Sequence, residues 1–139
     1  MTVEALSTLV QRRHSDAHGG QPVIDVAALQ TLQDLVGDDD GEFLLEVVDM
    51  YLQDALQRVQ NMQGAVHDLD WDAVAKDAHS LKSASANVGA LPFAKNCAQL
   101  ECAIREHAEV QMLPQATRVA AMFEDVRHVL AHLQSCLGA

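Results

Sequence analysis

Residues 70–89 read Asp70-Trp71-Asp72-Ala73-Val74-Ala75-Lys76-Asp77-Ala78-His79-Ser80-Leu81-Lys82-Ser83-Ala84-Ser85-Ala86-Asn87-Val88-Gly89. Asp70 is a good N-cap and Gly89 a good stop, and between them Trp71, Val74, Ala78, Leu81, Ser85 and Val88 recur at helical spacing on one side. The segment is therefore predicted to be one helix with one core-facing stripe. On a helix turning about 100° per residue, His79 points about 130° away from the centre of that stripe, so its imidazole should face water. Lys76 and Lys82 lie three residues to either side of it, and Ser83 lies four beyond.

Working outward, the same periodicity continues in both directions. Before it, Leu44, Val47, Tyr51, Ala55, Val59, Met62 and Val66 form the stripe of a longer helix that opens on Asp38-Asp39-Asp40, acids placed at the positive end of the macrodipole, and ends near His67. Earlier still, Asp25 can cap a short helix through Leu29, Leu32 and Val36, with Gly37 as its stop. After Gly89, Pro92 suits the first turn of a helix carrying Phe93, Cys97, Leu100 and Ile104. Pro114 suits the first turn of another, carrying Val119, Met122, Val126, Leu130, Leu133 and Leu137. Residues 1–22 read as a polar leader or linker ending near Gly19-Gly20, with only Val3, Leu6, Leu9 and Val10 hinting at a helical turn. Residues 23–139 are predicted to form one all-α domain, an antiparallel four-helix bundle with a short additional N-terminal helix.

Composition agrees and excludes several function classes. Apolar residues make up 49% of the 139-residue chain but aromatics only 4%, and the apolar set is Leu, Val, Ala and Met, which favours helices over sheets. Nine basic against twenty acidic side chains give a net charge of −11, which repels a phosphate backbone, so nucleic acid is not an expected partner. The three cysteines, Cys97, Cys102 and Cys136, lie in apolar helical stretches without C-x-x-C spacing and are expected to be buried thiols in a reducing, cytoplasmic compartment. No segment approaches the roughly 18 consecutive apolar residues of a membrane span, and no direct membrane contact is expected.

Against that acidic background all the lysines, Lys76, Lys82 and Lys95, fall between residues 76 and 95. Such clustering suits a local anion site, although charges on a helix face are also the ordinary state of a solvated surface. An exposed imidazole is largely neutral at neutral pH and offers a ring-nitrogen lone pair, so it can attack phosphorus without a separate base. A nearby ammonium can offset charge on the phosphoryl oxygens, and Lys82 is the first candidate.

The run Ala78-His79-Ser80-Leu81-Lys82-Ser83-Ala84-Ser85-Ala86-Asn87-Val88-Gly89-Ala90, followed by Leu91, Cys97, Leu100 and Glu101, closely resembles the signature of histidine-containing phosphotransfer (HPt) domains of two-component phosphorelays. Looser similarity extends from about Ile24 to Leu137. The resemblance implies a helical bundle, phosphorylation of His79, and receiver domains of response regulators as partners, with magnesium and catalytic carboxylates in the receiver and no cofactor here. The family usually has glycine directly after the lysine, where this chain has Ser83; the added hydroxymethyl group can tighten docking or contribute a hydrogen bond. Some members hold the imidazole with a glutamine at the position of Glu101. That carboxylate can accept Nδ1–H and leave Nε2 as nucleophile, or can be a solvated helix residue.

The chain has no G-x-x-x-x-G-K-[ST] loop and no kinase-type glycine motif, so a phosphoryl carrier is expected rather than an autonomous enzyme. The polar leader suits a stand-alone protein or, the alternative favoured here, the C-terminal module of a hybrid sensor histidine kinase that would act in cis at the cytoplasmic end of a membrane-bound protein. One rival reading is metal binding by Asp125, His128, His132 and Cys136, which share a helical strip; no metal is expected, because a structural zinc site needs four convergent ligands. His14 and His18 have the same spacing within the leader. Another rival is a receiver-docking bundle without chemistry.

Overall fold

The computed structural model describes residues 22–36 and 41–137. It contains helices α1 (Val26–Val36), α2 (Glu42–His67), α3 (Trp71–Asn87), α4 (Leu91–Arg105) and α5 (Glu109–Leu137), and no strand among the described residues. Asp25 begins α1 as expected, its carboxylate accepting the Ala27 N–H at 3.1 Å. The Asp38-Asp39-Asp40 run, the Gly37 stop and the leader with its hydrophobic turn lie outside the described residues.

Helix α2 packs on α3, α3 on α4, α4 on α5, and α5 returns to α2, which closes a four-membered ring. Short connections make sequential helices antiparallel, so this is the predicted four-helix bundle. Helix α1 lies against α2, and the chain just before it is pinned to the α3–α4 turn by the Asp25 N–H, which donates to the Gly89 carbonyl at 2.7 Å.

All three bundle turns are the same Schellman closure. Leu69 N–H donates to the Val66 carbonyl and Asp70 N–H to Ala65; Gly89 to Ala86 and Ala90 to Ser85; His107 to Ile104 and Ala108 to Ala103. The residue in the left-handed region is Leu69 (φ 58°), Gly89 (φ 81°) or His107 (φ 56°). Only Gly89 announces its turn in the sequence, and there the glycine is required twice over. Its φ is positive, and a Cβ would stand 2.5 Å from the Asp25 carbonyl oxygen. Leu69 and His107 accept the strained conformation with exposed side chains.

The core forms where the stripes meet. Phe93 of α4 and Phe123 of α5 are both buried, with ring centroids 5.7 Å apart in a tilted arrangement. On α3 the stripe is as read, with Val74, Ala78, Leu81 and Ser85 buried, and Ala75 joins it. On α2 the buried set is Leu44, Val48, Tyr51, Ala55, Val59 and Met62. Val48 takes the place expected for Val47, which packs only at the edge, because a step of four from Leu44 keeps closer to the core-facing line.

Two expectations are corrected. Pro114 does not sit in the first turn of its helix: α5 begins at Glu109, so Pro114 lies inside it. The missing donor orphans the carbonyl of Val110, and Val110 is 90% exposed, so water can replace the lost bond. The cysteines are not uniformly buried. Cys97 is, and burial pushes its thiol up to about 12. Cys102 is exposed on α4 beside Glu106, which raises its thiol above the ordinary range through a hydrogen bond and charge, while Cys136 is half-buried. Both lie off the inward line of their helices, where a small apolar side chain is tolerated at the surface.

Candidate functional site around His79

Because α3 turns Val74, Ala78, Leu81 and Ser85 inward, its opposite face carries His79, whose side chain is 58% exposed. Two contacts from α2 set the rotation of this helix. Tyr51 Oη lies 2.7 Å from Ser85 Oγ in a buried hydrogen bond, and Arg58 Nη1 lies 3.6 Å from Asp77 Oδ1. The sequence placed Tyr51 and Ser85 on two apolar stripes without showing that they meet. Burial raises the Tyr51 phenol well above its ordinary range, so its hydroxyl stays neutral and pairs with the Ser85 hydroxyl, either of which can donate.

Helix α4 returns antiparallel from the Gly89 turn and brings Glu101 level with His79. Nδ1 of the imidazole lies 3.1 Å from Oε1 and 3.0 Å from Oε2 of this carboxylate. Arg105, one turn further along α4, donates to Oε2 from Nη2 at 2.8 Å and from Nε at 3.1 Å. Lys82 Nζ lies 3.8 Å from Oε1. Glu101 is thus a buried carboxylate roofed by three basic side chains, not a solvated helix residue. Burial alone would push its carboxyl up, but hydrogen bonds from Arg105 and His79, with their charges, outweigh burial and hold it below its ordinary range. An ionised carboxylate has no proton to give, so Nδ1 is the donor and the neutral ring keeps its lone pair on Nε2.

Around the imidazole, Ser83, Ala86 and Asn87 are small or medium-sized and exposed, and Lys82 is half-exposed. Lys76 is exposed a turn earlier on α3 and Lys95 is exposed on α4. The structure therefore joins His79, Lys82 and Glu101 through contacts, and leaves Lys76 and Ser83 as exposed neighbours on the same helix. Arg105 was not singled out from sequence, although a Glu-to-Arg pair four residues apart on a helix was the available signal. His128 and His132 are exposed on α5, and among the described residues no three His, Cys, Asp or Glu side chains converge as a metal site would require.

Fold and site together define a helical-bundle protein that presents, on α3, a solvent-facing histidine backed by a carboxylate of the neighbouring helix. The family profile of the Hpt domain matches residues 46–134, and the chain belongs to that family, whose function is histidine phosphotransfer in phosphorelays. Solved structures share the fold. Histidine-containing phosphotransfer protein B from Pseudomonas aeruginosa PAO1 superposes with a TM-score of 0.73 at 24% identity, over 82% of this chain and 96% of that one. The histidine-containing phosphotransfer protein ZmHP2 from maize gives 0.74 at 23% identity, over 99% and 97%. No curated protein matches the chain significantly in sequence. Among the described residues no helix is long and apolar enough to cross a membrane.

Proposed function

We propose that this chain accepts a phosphoryl group on Nε2 of His79 from a receiver-domain aspartate and passes it to another receiver or back. The observation that carries this reading is the exposed imidazole with Nδ1 engaged by Glu101, which leaves the lone pair on Nε2. That lone pair forms the N–P bond as the P–O bond to the aspartyl carboxylate breaks, and the carboxylate leaves with the electron pair. The ring keeps its Nδ1 hydrogen and becomes cationic, facing the Glu101 carboxylate. Lys82 offsets charge on the phosphoryl oxygens, while Ser83 and Lys76 line the surface on which the receiver docks. Magnesium and the catalytic carboxylates belong to the receiver. The chain is a carrier without its own ATP site, acting in the cytoplasm, either alone or in cis to a hybrid histidine kinase.

Transfer of radiolabelled phosphoryl groups tests the reading. With ATP and magnesium alone the protein stays unlabelled; with a phosphorylated receiver it gains acid-labile, base-stable label. His79→Gln abolishes uptake while changing stability by less than about 0.5 kcal/mol, as an exposed polar exchange should. Lys82→Ala slows transfer or shortens the lifetime of the phosphorylated form roughly tenfold, the effect of about 1.4 kcal/mol of charge stabilisation. Label in the His79 variant, or self-labelling from ATP, overturns the proposal. Tight receiver binding without transfer instead identifies a docking domain.

A further inference from the structure

A carboxylate beside Nδ1 brings a difficulty that a neutral amide would not. In general a negative charge beside an imidazole favours the doubly protonated ring, in which the second proton occupies the lone pair a nucleophile needs. The groups at hand are Glu101 and Arg105 from α4 and Lys76 and Lys82 from the helix of His79 itself. Of the cations, Arg105 is the one locked to Glu101, with two donors on Oε2 at 2.8 and 3.1 Å, whereas Lys82 stands off at 3.8 Å.

We propose that Arg105 is a positioning residue for His79 acting through Glu101: by holding Oε2 and compensating its charge, it lets the carboxylate accept Nδ1–H as an amide would while Nε2 stays unprotonated. The same contact releases Lys82, which would otherwise be the carboxylate's main counter-ion, to turn towards an incoming phosphoryl group. Arg105 is 63% exposed at its side chain and Glu101 only 11%, so the guanidinium can be altered without opening the core.

The inference rests on the proposed role of His79 but is tested on the unphosphorylated protein, so the two can fail separately. Nitrogen-15 NMR of the full chain at neutral pH reads the fraction of doubly protonated His79. Arg105→Gln should raise the ratio of doubly to singly protonated ring several-fold, up to about tenfold for one displaced neighbouring charge. Arg105→Lys should restore most of the wild-type signal. In a Glu101→Gln background there is no charge to compensate, and Arg105→Gln should then change nothing. An unchanged ratio in the single variant overturns the proposal, and so does an equal change in the Glu101→Gln background. Receiver-dependent labelling of the same variants reports on His79 as phospho-acceptor whatever the NMR result.

Discussion

Glu101 is the residue whose sequence context carried least and whose surroundings say most. It could be a surface acid on an amphipathic helix; instead it is buried under His79, Arg105 and Lys82. A carboxyl held below its ordinary range stabilises the folded state above its unfolded value, and that contribution is lost as pH falls through the lowered folded value. Glu101→Gln should therefore lower the melting temperature at pH 7, and the gap to the wild type should close as the solution is acidified below the ordinary carboxyl value of 4.5. Melting curves of both proteins across that range check the sign. A gap that widens in acid would show that Glu101 is destabilising in its ionised form. At the same scale, Ser85 illustrates a polar residue on an apolar stripe that is there to meet a partner, because Tyr51 would otherwise bury an unpaired hydroxyl.

At the scale of elements, the three Schellman turns differ only in which residue takes the left-handed position. A non-glycine residue there carries a strain of about 1–2 kcal/mol, part of which glycine returns through the greater freedom of the unfolded chain. Leu69→Gly is thus expected to stabilise the bundle by about 0.5–1 kcal/mol, since the Leu69 side chain is 73% exposed and contributes little packing. Gly89→Ala is expected to act in the opposite sense by roughly 2 kcal/mol or more, because strain adds to a clash with the Asp25 carbonyl that loosens the chain leading into α1. Urea denaturation of the two variants reads both effects. Equal shifts of one sign would show that conformation at the turns does not control their energetics.

For the whole molecule, the closed ring of α2 to α5 makes the core, and the residues just before α1 seal one end of it. Val23 and Ile24 are fully buried, and Asp25 ties that segment to the Gly89 turn. If the first residues are a leader outside the domain, a chain beginning at Pro22 is expected to keep the melting temperature within about 2 °C and to retain phosphoryl uptake. Removing residues through Asp25 should cost several degrees, because two buried branched side chains and a turn hydrogen bond go with it. Thermal unfolding of the two truncations separates them. A large loss from the shorter truncation would make the leader part of the fold.

The sequence alone determined the helices in outline, their inward faces and the outward direction of His79, because 3.6-residue periodicity and caps such as Asp70 are local properties that neighbouring residues set together. It fixed α3 from Asp70 to Gly89, and it carried the HPt resemblance to His79 and Lys82. Tertiary structure decided what each face meets. Val48 replaced Val47 and Pro114 fell inside α5, since core geometry and solvent access tune boundaries that local signals leave loose. The pairing of Tyr51 with Ser85, and the assembly of His79 with Glu101, Arg105 and Lys82, depend on the register between antiparallel helices. That register comes from the turns and the packed core, so a contact spanning 22 residues, such as His79 with Glu101, has no signature in the local pattern of either helix.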